Sequence, residues 1–481
     1  MVNVAVGANI RENDMKTKSF SAQGFPEGNF TRPSFANSYP EGGKPGYAEN
    51  KNRNANFYLN GGYVYDGRYL LDVNLRSDGT SVFGANKRFS TTWSVGLAWN
   101  VHREKFMKDK ASFINVLKLR GSVGNPGNQN FSSYSAITTY YFNNWMLNNF
   151  GTGVLVSKFG DPNLAWQRTL DKNIGINLSM FSNRFHVTVD FYHKRTDPLI
   201  ADIGIPVSMG VEKRRTNIGV QVDKGVNGTI RYAILYKPQE SINYTMSVNF
   251  RYGTAFYKNI GRSLNAYNQE NISKNLTRYY DGGSPTALWA VRSRGIDPAT
   301  GQEIFVKKDG TLTYTFDYKD EVEVGDSRPT LEGVWGNTFY YKGWSASLQL
   351  RYSFGADVFN STLFNKVENI SSRSITTNQD RRALYNRWKK PGDKAKFKSI
   401  SLTESTPMSS RFVMKENYLS IESVRLGYQF DSKWLKKALR ISSLNINMYM
   451  NSIARFSTLE DERGLYYPFA RSISFSLGAI L

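Results

Sequence analysis

The chain has 481 residues, of which 40% are hydrophobic and 14% aromatic, and it carries a formal net charge of +22 at pH 7. Its mean hydropathy is −0.48, and no apolar run reaches about 18 residues, which excludes a membrane-spanning helix. A membrane β-barrel is not excluded, because its strands alternate apolar and polar residues and so have a moderate average hydropathy. The sequence contains no cysteine, which excludes disulfides, thiol catalysis and thiolate metal sites.

The positive charge has several interpretations. The plainest is a set of solvated basic loops; the others are contact with anionic lipopolysaccharide and electrostatic steering of an anionic substrate. Nucleic-acid binding is not expected, because the basic residues are dispersed and no motif of a nucleic-acid-binding domain is present. The three histidines support neither a metal site nor a catalytic triad, since His186 and His193 fall on opposite faces of one apparent strand.

Period-two alternation of apolar and polar residues occurs along the whole chain. It predicts strands at 2–11, 54–65, 68–77, 90–101, 114–124, 134–142, 173–180, 184–194, 228–236, 242–252, 331–341, 344–354, 418–428, 443–451 and 470–481. The segments 2–11, 134–142 and 418–428 are the weakest, so about 13 to 15 strands are expected. The alternation changes phase within 418–428, which predicts a β-bulge.

The lengths of the predicted strands and connections indicate a membrane barrel. Most strands have about nine to eleven residues, which is the length that crosses a membrane, whereas soluble strands average about five to six. Short turns such as Asp66–Gly67 and Lys342–Gly343 alternate with long connections. The long connections are 12–53, 78–89, 195–225, 253–330 and 355–417. Short turns at one rim and long loops at the other are typical of outer-membrane barrels.

The two faces of the predicted strands differ in polarity. Trp93 and Trp99 share an apolar face about 20 Å apart along their strand, which places them near the two edges of an apolar band. The opposite face carries charged residues, whose burial without partners would cost several kcal/mol each. These candidate lumen-facing residues are Arg68, Asp72, Lys118, Arg120, Arg231, Arg251 and Arg351. The sequence therefore predicts an all-β, antiparallel transmembrane outer-membrane barrel with a polar interior and a lipid-facing exterior.

Several short motifs follow one another in a specific order. A tyrosine-rich strand and a tight turn precede the stretch Arg76-Ser77-Asp78-Gly79-Thr80-Ser81-Val82-Phe83-Gly84. Further motifs lie at 93–99, 117–125, 161–167, 295–298 and 387–393. Together they resemble the SusC/RagA-like TonB-linked outer-membrane transporters over nearly the whole chain. Gln167, where the family usually has glutamate, and the terminal Leu481, where an aromatic residue is usual, depart from the pattern.

The resemblance implies an architecture and a function. Residues 1–481 are expected to form the C-terminal portion of a TonB-dependent receptor barrel of about 22 strands, without the N-terminal plug. The implied function is import of a nutrient, such as an oligosaccharide or a peptide, across a Gram-negative, Bacteroidota-like outer membrane. The implied partners are outer-membrane lipid or lipopolysaccharide, a SusD-like lipoprotein, and TonB acting through the missing N-terminal region.

Other functions are less well supported by the sequence. The alternative to import is a passive or structural barrel, or an inactive truncated fragment. No catalytic constellation and no phosphate-binding glycine loop is present, so neither an enzymatic activity nor a cofactor is expected.

The family motif around residue 80 has two interpretations. Arg76, Asp78, Gly79, Ser81, Phe83 and Gly84 are predicted to brace a loop, and ligand contact is the second hypothesis. Gly79 and Gly84 would permit positive φ, and Asp78 would cap a turn.

A second acidic segment, 297–301, is predicted to be a turn. A calcium site at Asp297 would need several further oxygen ligands at set spacing, and the sequence around it does not supply them.

Overall fold

The computed structural model describes residues 1–29, 32–43, 45–81, 88–108, 111–128, 137–370, 376, 378–402, 404–460 and 470–480. The strands are β1 (Val2–Ser19), β2 (Gly46–Tyr65), β3 (Tyr69–Thr80), β4 (Phe89–Asn100), β5 (Ile114–Asn125), β6 (Gly127–Asn128), β7 (Thr139–Asn148), β8 (Gly151–Lys158), β9 (Gln167–Met180), β10 (Phe185–Asp197), β11 (Leu199–Gly204), β12 (Lys213–Ile218), β13 (Val220–Lys237), β14 (Ile242–Lys258), β15 (Ala287–Ile296), β16 (Glu303–Val306), β17 (Leu312–Thr313), β18 (Glu321–Asp326), β19 (Leu331–Tyr341), β20 (Trp344–Phe359), β21 (Val413–Phe430), β22 (Ser443–Ser457) and β23 (Ile473–Ile480).

Helical segments are few and short. The α-helices are α1 (Lys105–Lys108), α2 (Asn265–Glu270), α3 (Arg382–Tyr385) and α4 (Lys433–Leu439), and Leu363–Glu368 forms one turn of π-helix. Single 3-10 turns are Pro33–Phe35, Val101–Arg103, Val207–Met209, Pro238–Glu240, Tyr318–Asp320 and Ser410–Phe412. Within the described ranges, none of these helices has the length and apolarity that a transmembrane helix requires.

Fourteen strands form one antiparallel sheet. They hydrogen-bond in the order β1-β2-β3-β4-β5-β9-β10-β13-β14-β19-β20-β21-β22-β23, and the two-residue β6 pairs with β9. The predicted all-β barrel wall is confirmed, and its strand number lies within the expected range. The segment predicted at 134–142 is the exception: β7 pairs with β8 in a hairpin outside this sheet. Residues 134–136 of that prediction lie outside the described residues.

The pairing register confirms that the sheet has one apolar and one polar face, because residues directly opposite one another share a face. One row consists of Leu117, Leu178, Val187, Ile230, Val248, Trp335, Leu350, Ile421 and Ala454, all of them apolar. The row from the adjacent positions consists of Lys118, Asn177, Thr188, Thr229, Asn249, Val334, Arg351 and Ser420. We call the apolar face the lipid face and the polar face the lumen face.

The two rims of the sheet differ as predicted. At the short-turn rim, Asp66 (φ 49°), Gly67 (φ 62°), Lys342 (φ 45°) and Gly343 (φ 90°) all adopt left-handed conformations. A two-residue hairpin of type I′ requires positive φ at both positions, which matches the right-handed twist of the strands. The long connections all lie at the opposite rim, the long-loop rim.

Several strands extend further toward the long-loop rim than predicted. β1 and β2 remain paired as far as Ser19 and Gly46, so the connection expected at 12–53 is only 20–45. The sequence pattern missed this extension because both faces become polar there and the alternation disappears. Ion pairs continue across the lipid-face side of the extension, with Glu12 2.8 Å from Lys51 and 2.9 Å from Arg53.

Aromatic side chains line the short-turn rim of the lipid face. Ring pairs form between Tyr69 and Trp99 (centroids 6.4 Å apart), Phe185 and Tyr232 (5.8 Å), Tyr244 and Phe339 (6.4 Å), and Trp344 and Tyr428 (4.7 Å). A ring of aromatic residues at the membrane interface is typical of outer-membrane barrels. The bulge predicted in 418–428 is also present, because the register of β21 shifts between Ile421 and Ser423 against both neighbours.

Candidate functional site

The lumen face carries six of the seven candidate polar residues predicted from the sequence. Arg120 and Arg251 belong to one cross-strand row, which consists of Arg120, Gly175, Asp190, Asn227, Arg251, Glu332 and Ser353. Lys118 and Arg351 belong to the neighbouring row, and Arg231 lies opposite His186. Asp72 lies opposite Gly96, whose other partner is Ser122. Six of the seven candidates therefore share a face, but they are spread along the wall and form no single cluster. Arg68 lies outside the strand ladder, and its partner Glu104 also accepts hydrogen bonds from Tyr69 and Trp99 on the lipid face, so the structure does not place Arg68 on the lumen face.

Ion pairs neutralise much of the charge on this face. Arg120 lies 2.6 Å from Asp190, Arg251 3.6 Å from Glu332, and Arg351 3.4 Å from Glu422. Arg68, at the short-turn rim, pairs with Asp66 at 2.6 Å and with Glu104 at 3.2 Å. Pairing of opposite charges across strands stabilises the sheet, so the charged wall is compatible with folding as well as with an aqueous interior.

A cavity of about 740 Å³ opens on the lumen face around Tyr192. Other residues that line it are Asp190, Lys194, Asp223, Asn249, Arg251 and Arg328. Tyr192 is only 9% exposed because its ring lies over Gly225 and Gly253, where an added Cβ would come within 2.6 Å of the tyrosine hydroxyl. Within the described part of the chain, that hydroxyl and Oδ1 of Asp190 have no hydrogen-bond partner. Both atoms are buried against the wall, so the polar surface that the cavity offers a ligand comes from its charged lining residues, such as Lys194, Asp223 and Arg251.

The sequence pattern did not identify Tyr192, Asp223 or Arg328 as site residues. The available indication was the presence of Gly225 and Gly253 inside strands, since a glycine within a strand often marks the close approach of another group. Arg328 lies outside the barrel strands and reaches Asp223, 3.1 Å away, from the long-loop rim. Only the folded arrangement brings these residues together.

The packing of Tyr192 leads to a prediction with a matched pair of substitutions. Gly225→Val should destabilise the wall by about 1–3 kcal/mol, because the new side chain would meet the carbonyl of Tyr252 as well as the tyrosine ring. Tyr192→Phe should leave stability unchanged, because the hydroxyl it removes is unpaired in the fold. Urea midpoints of the protein in outer-membrane vesicles measure both effects. Equal midpoints for the two variants would contradict the close packing of Tyr192 on Gly225.

Above the long-loop rim, the connection 259–330 and the described residues of the connection 360–412 pack into one assembly, which we call the loop cap. Its core is a four-stranded sheet in the order β17-β16-β15-β18. Arg411 joins the two connections by contacting Glu303 at 2.9 Å and Glu368 at 2.6 Å, and all three side chains are nearly inaccessible to solvent. Arg387 stabilises the 360–412 connection internally by donating to the carbonyl oxygens of Ala383, Lys398 and Val367.

A second cavity, of about 850 Å³, lies within the loop cap. Its wall includes the rings of Tyr280 and Trp289, whose centroids are 4.7 Å apart, and the buried ion pair between Arg278 and Glu321 at 2.8 Å. Burial raises the pKa of Glu321, and the guanidinium of Arg278 opposes that shift. The combination of aromatic faces and charged groups suits a ligand with both apolar and polar surfaces.

The family motif around residue 80 lies at the end of β3. Asp78 is buried and pairs with Arg76 at 2.6 Å, and the Ser81 hydroxyl accepts a hydrogen bond from the amide of Arg53. The expected turn cap at Asp78 and positive φ at Gly79 are wrong, because both residues belong to the ladder between β2 and β3. Gly79 instead leaves room for the Phe89 ring, which would lie 2.5 Å from an added Cβ.

The roles of Phe83 and Gly84, and the loop-brace role of the motif, stay predictions. Phe83 and Gly84 lie outside the described residues. The contacts of Arg76, Asp78 and Ser81 are all internal to the fold and are compatible with the role of a loop brace.

The turn predicted at Asp297 is present in the loop cap. Its carboxylate accepts hydrogen bonds from the amide of Ala299 and from the hydroxyls of Tyr314 and Thr300, and these lower the pKa of Asp297. Across the described ranges, no group of three or more His, Asp or Glu residues is placed to hold a metal ion.

Comparison with known proteins defines the family. The family model "TonB dependent receptor-like, beta-barrel" matches residues 8–447, so the chain belongs to the TonB-dependent receptor β-barrel family. The predicted likeness to SusC/RagA-like members is confirmed by its relatives. TonB-dependent receptor P39 of Formosa agariphila is 27% identical over 84% of this chain. TonB-dependent receptor SusC of Bacteroides thetaiotaomicron is 24% identical over 86% of it.

A solved structure has the same fold. The RagAB peptide transporter superposes on 95% of this chain with a TM-score of 0.83 and 20% sequence identity. The matched regions make up 43% of P39, 42% of SusC and 50% of the RagAB chain. The chain therefore spans about half the length of these proteins or less.

Proposed function

We propose that the protein is the barrel portion of an outer-membrane importer that moves a nutrient through its lumen with energy supplied through TonB. The observation that supports this proposal is the polar lumen face with the Tyr192 cavity, because a chain that serves only as a membrane anchor has no need of a cavity lined by charged and polar side chains there. The RagAB complex, which has the same fold, is a peptide transporter. Both peptides and oligosaccharides present the hydrogen-bonding groups that such a wall can contact.

The proposal includes the architecture and partners implied by the family motifs. Residues 1–481 would supply the C-terminal strands of a larger barrel in a Gram-negative outer membrane, with the short turns facing the periplasm. The loop cap would lie outside the cell, where a SusD-like lipoprotein can cover it. The lipid face would contact the acyl chains of phospholipid and lipopolysaccharide.

Growth of the host provides the test. We expect deletion of the gene to abolish growth on at least one oligosaccharide or peptide supplied as the sole nutrient, and deletion of tonB to have the same effect. Restoring the gene with Arg251→Gln, which removes an exposed charge from the cavity wall, should return the protein to the membrane in normal amount but slow the uptake of that nutrient. Uptake that persists without TonB would instead support a passive barrel. Normal growth of the gene deletion on every nutrient would contradict import.

A further inference from the structure

The lipid face carries a row of basic residues near the long-loop rim. His193 of β10 lies directly opposite Lys172 of β9 on one side and Lys224 of β13 on the other. All three side chains are exposed. They point to the lipid side because they alternate along their strands with lumen residues such as Asp171 and Asp223. We call Lys172, His193 and Lys224 the basic row.

Among the described residues, no carboxylate forms an ion pair with the lysines of the basic row, and the neighbouring acidic groups have other partners. On the lumen face, Asp171 pairs with Lys194 and Asp223 with Arg328. On the lipid face, Asp197 pairs with Arg195 at 2.9 Å. His193 separates the two lysines, which are therefore two strands or about 10 Å apart. An anion that lies over His193 can reach both ammonium groups and offset their charge.

The position of Lys224 and Lys258 adds to the local positive charge. Their Nζ atoms lie 6.0 and 5.3 Å from the centroid of the Phe256 ring, within the range of a cation–π interaction. Phe256 thereby places the ammonium group of Lys258 near that of Lys224 in the basic row. A cationic cluster placed next to an aromatic ring on a lipid-facing surface matches the chemistry of a phosphate headgroup at a membrane interface.

An apolar groove of about 680 Å³ begins at the basic row. Its sides are formed by Val95, Leu97, Val123, Ile174 and Phe191, and Lys172 and His193 lie at its end. Gly121 opens the groove because it stands directly between Leu97 and Ile174 in one cross-strand row and has no side chain. The groove can therefore hold a hydrocarbon chain whose polar end reaches the lysines.

We propose that this surface binds a phosphorylated, acylated lipid of the outer leaflet, as found in the lipid A part of lipopolysaccharide. One acyl chain would occupy the groove beside Gly121, and a phosphate would bind between Lys172 and Lys224. The inference rests on the proposed outer-membrane location with the long loops outside the cell. It adds a defined lipid site on the wall to the general contact with lipid.

The site can be tested by native mass spectrometry of the protein, purified in mild detergent from the host outer membrane together with any bound partners. The probes are diphosphorylated lipid A, the same lipid without phosphate, and the phosphorylated disaccharide without acyl chains. Lys172→Gln combined with Lys224→Gln should weaken binding of diphosphorylated lipid A about thirty-fold. Each lysine near a membrane surface contributes about 1 kcal/mol, and the loss of both corresponds to this change in affinity. Loss of the phosphate from the lipid should weaken its binding to the wild-type protein to a similar extent.

The acyl chain is tested separately by Gly121→Leu. An added Cβ at this position has as its nearest neighbour the carbonyl oxygen of Asn173 at 3.9 Å, so the substitution fills the groove without a clash. It should reduce binding of lipid A but not binding of the disaccharide. The matched control is Lys342→Gln, because Lys342 also lies over an aromatic ring, 5.3 Å from the centroid of Tyr341, but at the short-turn rim. This control should retain full lipid binding.

The outcomes separate this inference from the proposed function. If lipid A binds the double lysine variant or the Gly121→Leu variant as it binds the wild type, the site does not exist, whatever the nutrient-uptake result. If the Lys342→Gln control loses as much lipid A binding as the double lysine variant, the binding is non-specific attraction to surface charge, and the proposed site is overturned. Heat-modifiable gel mobility verifies that each variant is folded. Nutrient uptake by these variants should stay at the wild-type level. Lipid binding and nutrient uptake are therefore separate measurements, and a failure of the import proposal does not change the meaning of the lipid result.

Discussion

Leu348→Arg is expected to strongly reduce the amount of folded protein in the outer membrane, whereas Gln349→Arg is expected to be tolerated. The two residues are neighbours in β20 but point to opposite faces. Leu348 lies on the lipid face opposite Val424, about midway between Trp344 and Phe354, and Gln349 lies on the lumen face opposite Gly336. An arginine that faces lipid near the bilayer midplane costs about 2–4 kcal/mol, whereas a lumen arginine stays in contact with water.

Heat-modifiable gel mobility and protection from protease in isolated outer membranes measure the folded fraction of each variant. Leu348→Ala is the control for the loss of packing without a charge, and it should fall between the wild type and Leu348→Arg. Equal losses for Leu348→Arg and Gln349→Arg would mean that the assignment of lipid and lumen faces is wrong.

The second large effect is expected in the loop cap. Arg411→Gln should destabilise the contact between the connections 259–330 and 360–412 by about 3–5 kcal/mol, because it removes the ion-pair partner of two buried carboxylates. Those carboxylates belong to Glu303 and Glu368, whose side chains are 6% and 0% exposed. The strands below should stay folded, since Arg411 precedes β21 and takes no part in its ladder. The expected result is rapid proteolysis and hydrogen exchange in the cap with an intact barrel wall.

Two further variants test whether the buried charges are the cause. Adding Glu303→Gln and Glu368→Gln to Arg411→Gln removes all three charges together and should recover much of the protection. Arg215→Gln breaks an exposed pair with Asp202, in which the side chains are 38% and 45% exposed, and should change stability by at most about 1 kcal/mol. A cap that stays protected in Arg411→Gln would show that the apolar contacts alone hold it.

Much of the barrel wall could be predicted from the sequence because its determinants are local. Alternation with a period of two identifies a strand and both of its faces within about ten residues. Paired residues such as Asp66–Gly67 identify the short turns through their tolerance of positive φ. For the same reason, the phase change near Ile421 located a bulge. The prediction failed where this local information disappears, as in the paired but wholly polar ends of β1 and β2.

Only the tertiary structure decided which distant residues meet. Glu303 and Arg411 are 108 positions apart, and their pairing depends on how two long connections fold over the rim. The Tyr192 cavity and the basic row have the same origin. Lys172, His193 and Lys224 lie on three different strands, and a shift of one residue in register would turn any one of them to the other face. Local pattern determines the faces of each strand, whereas the register between strands determines which side chains form a site.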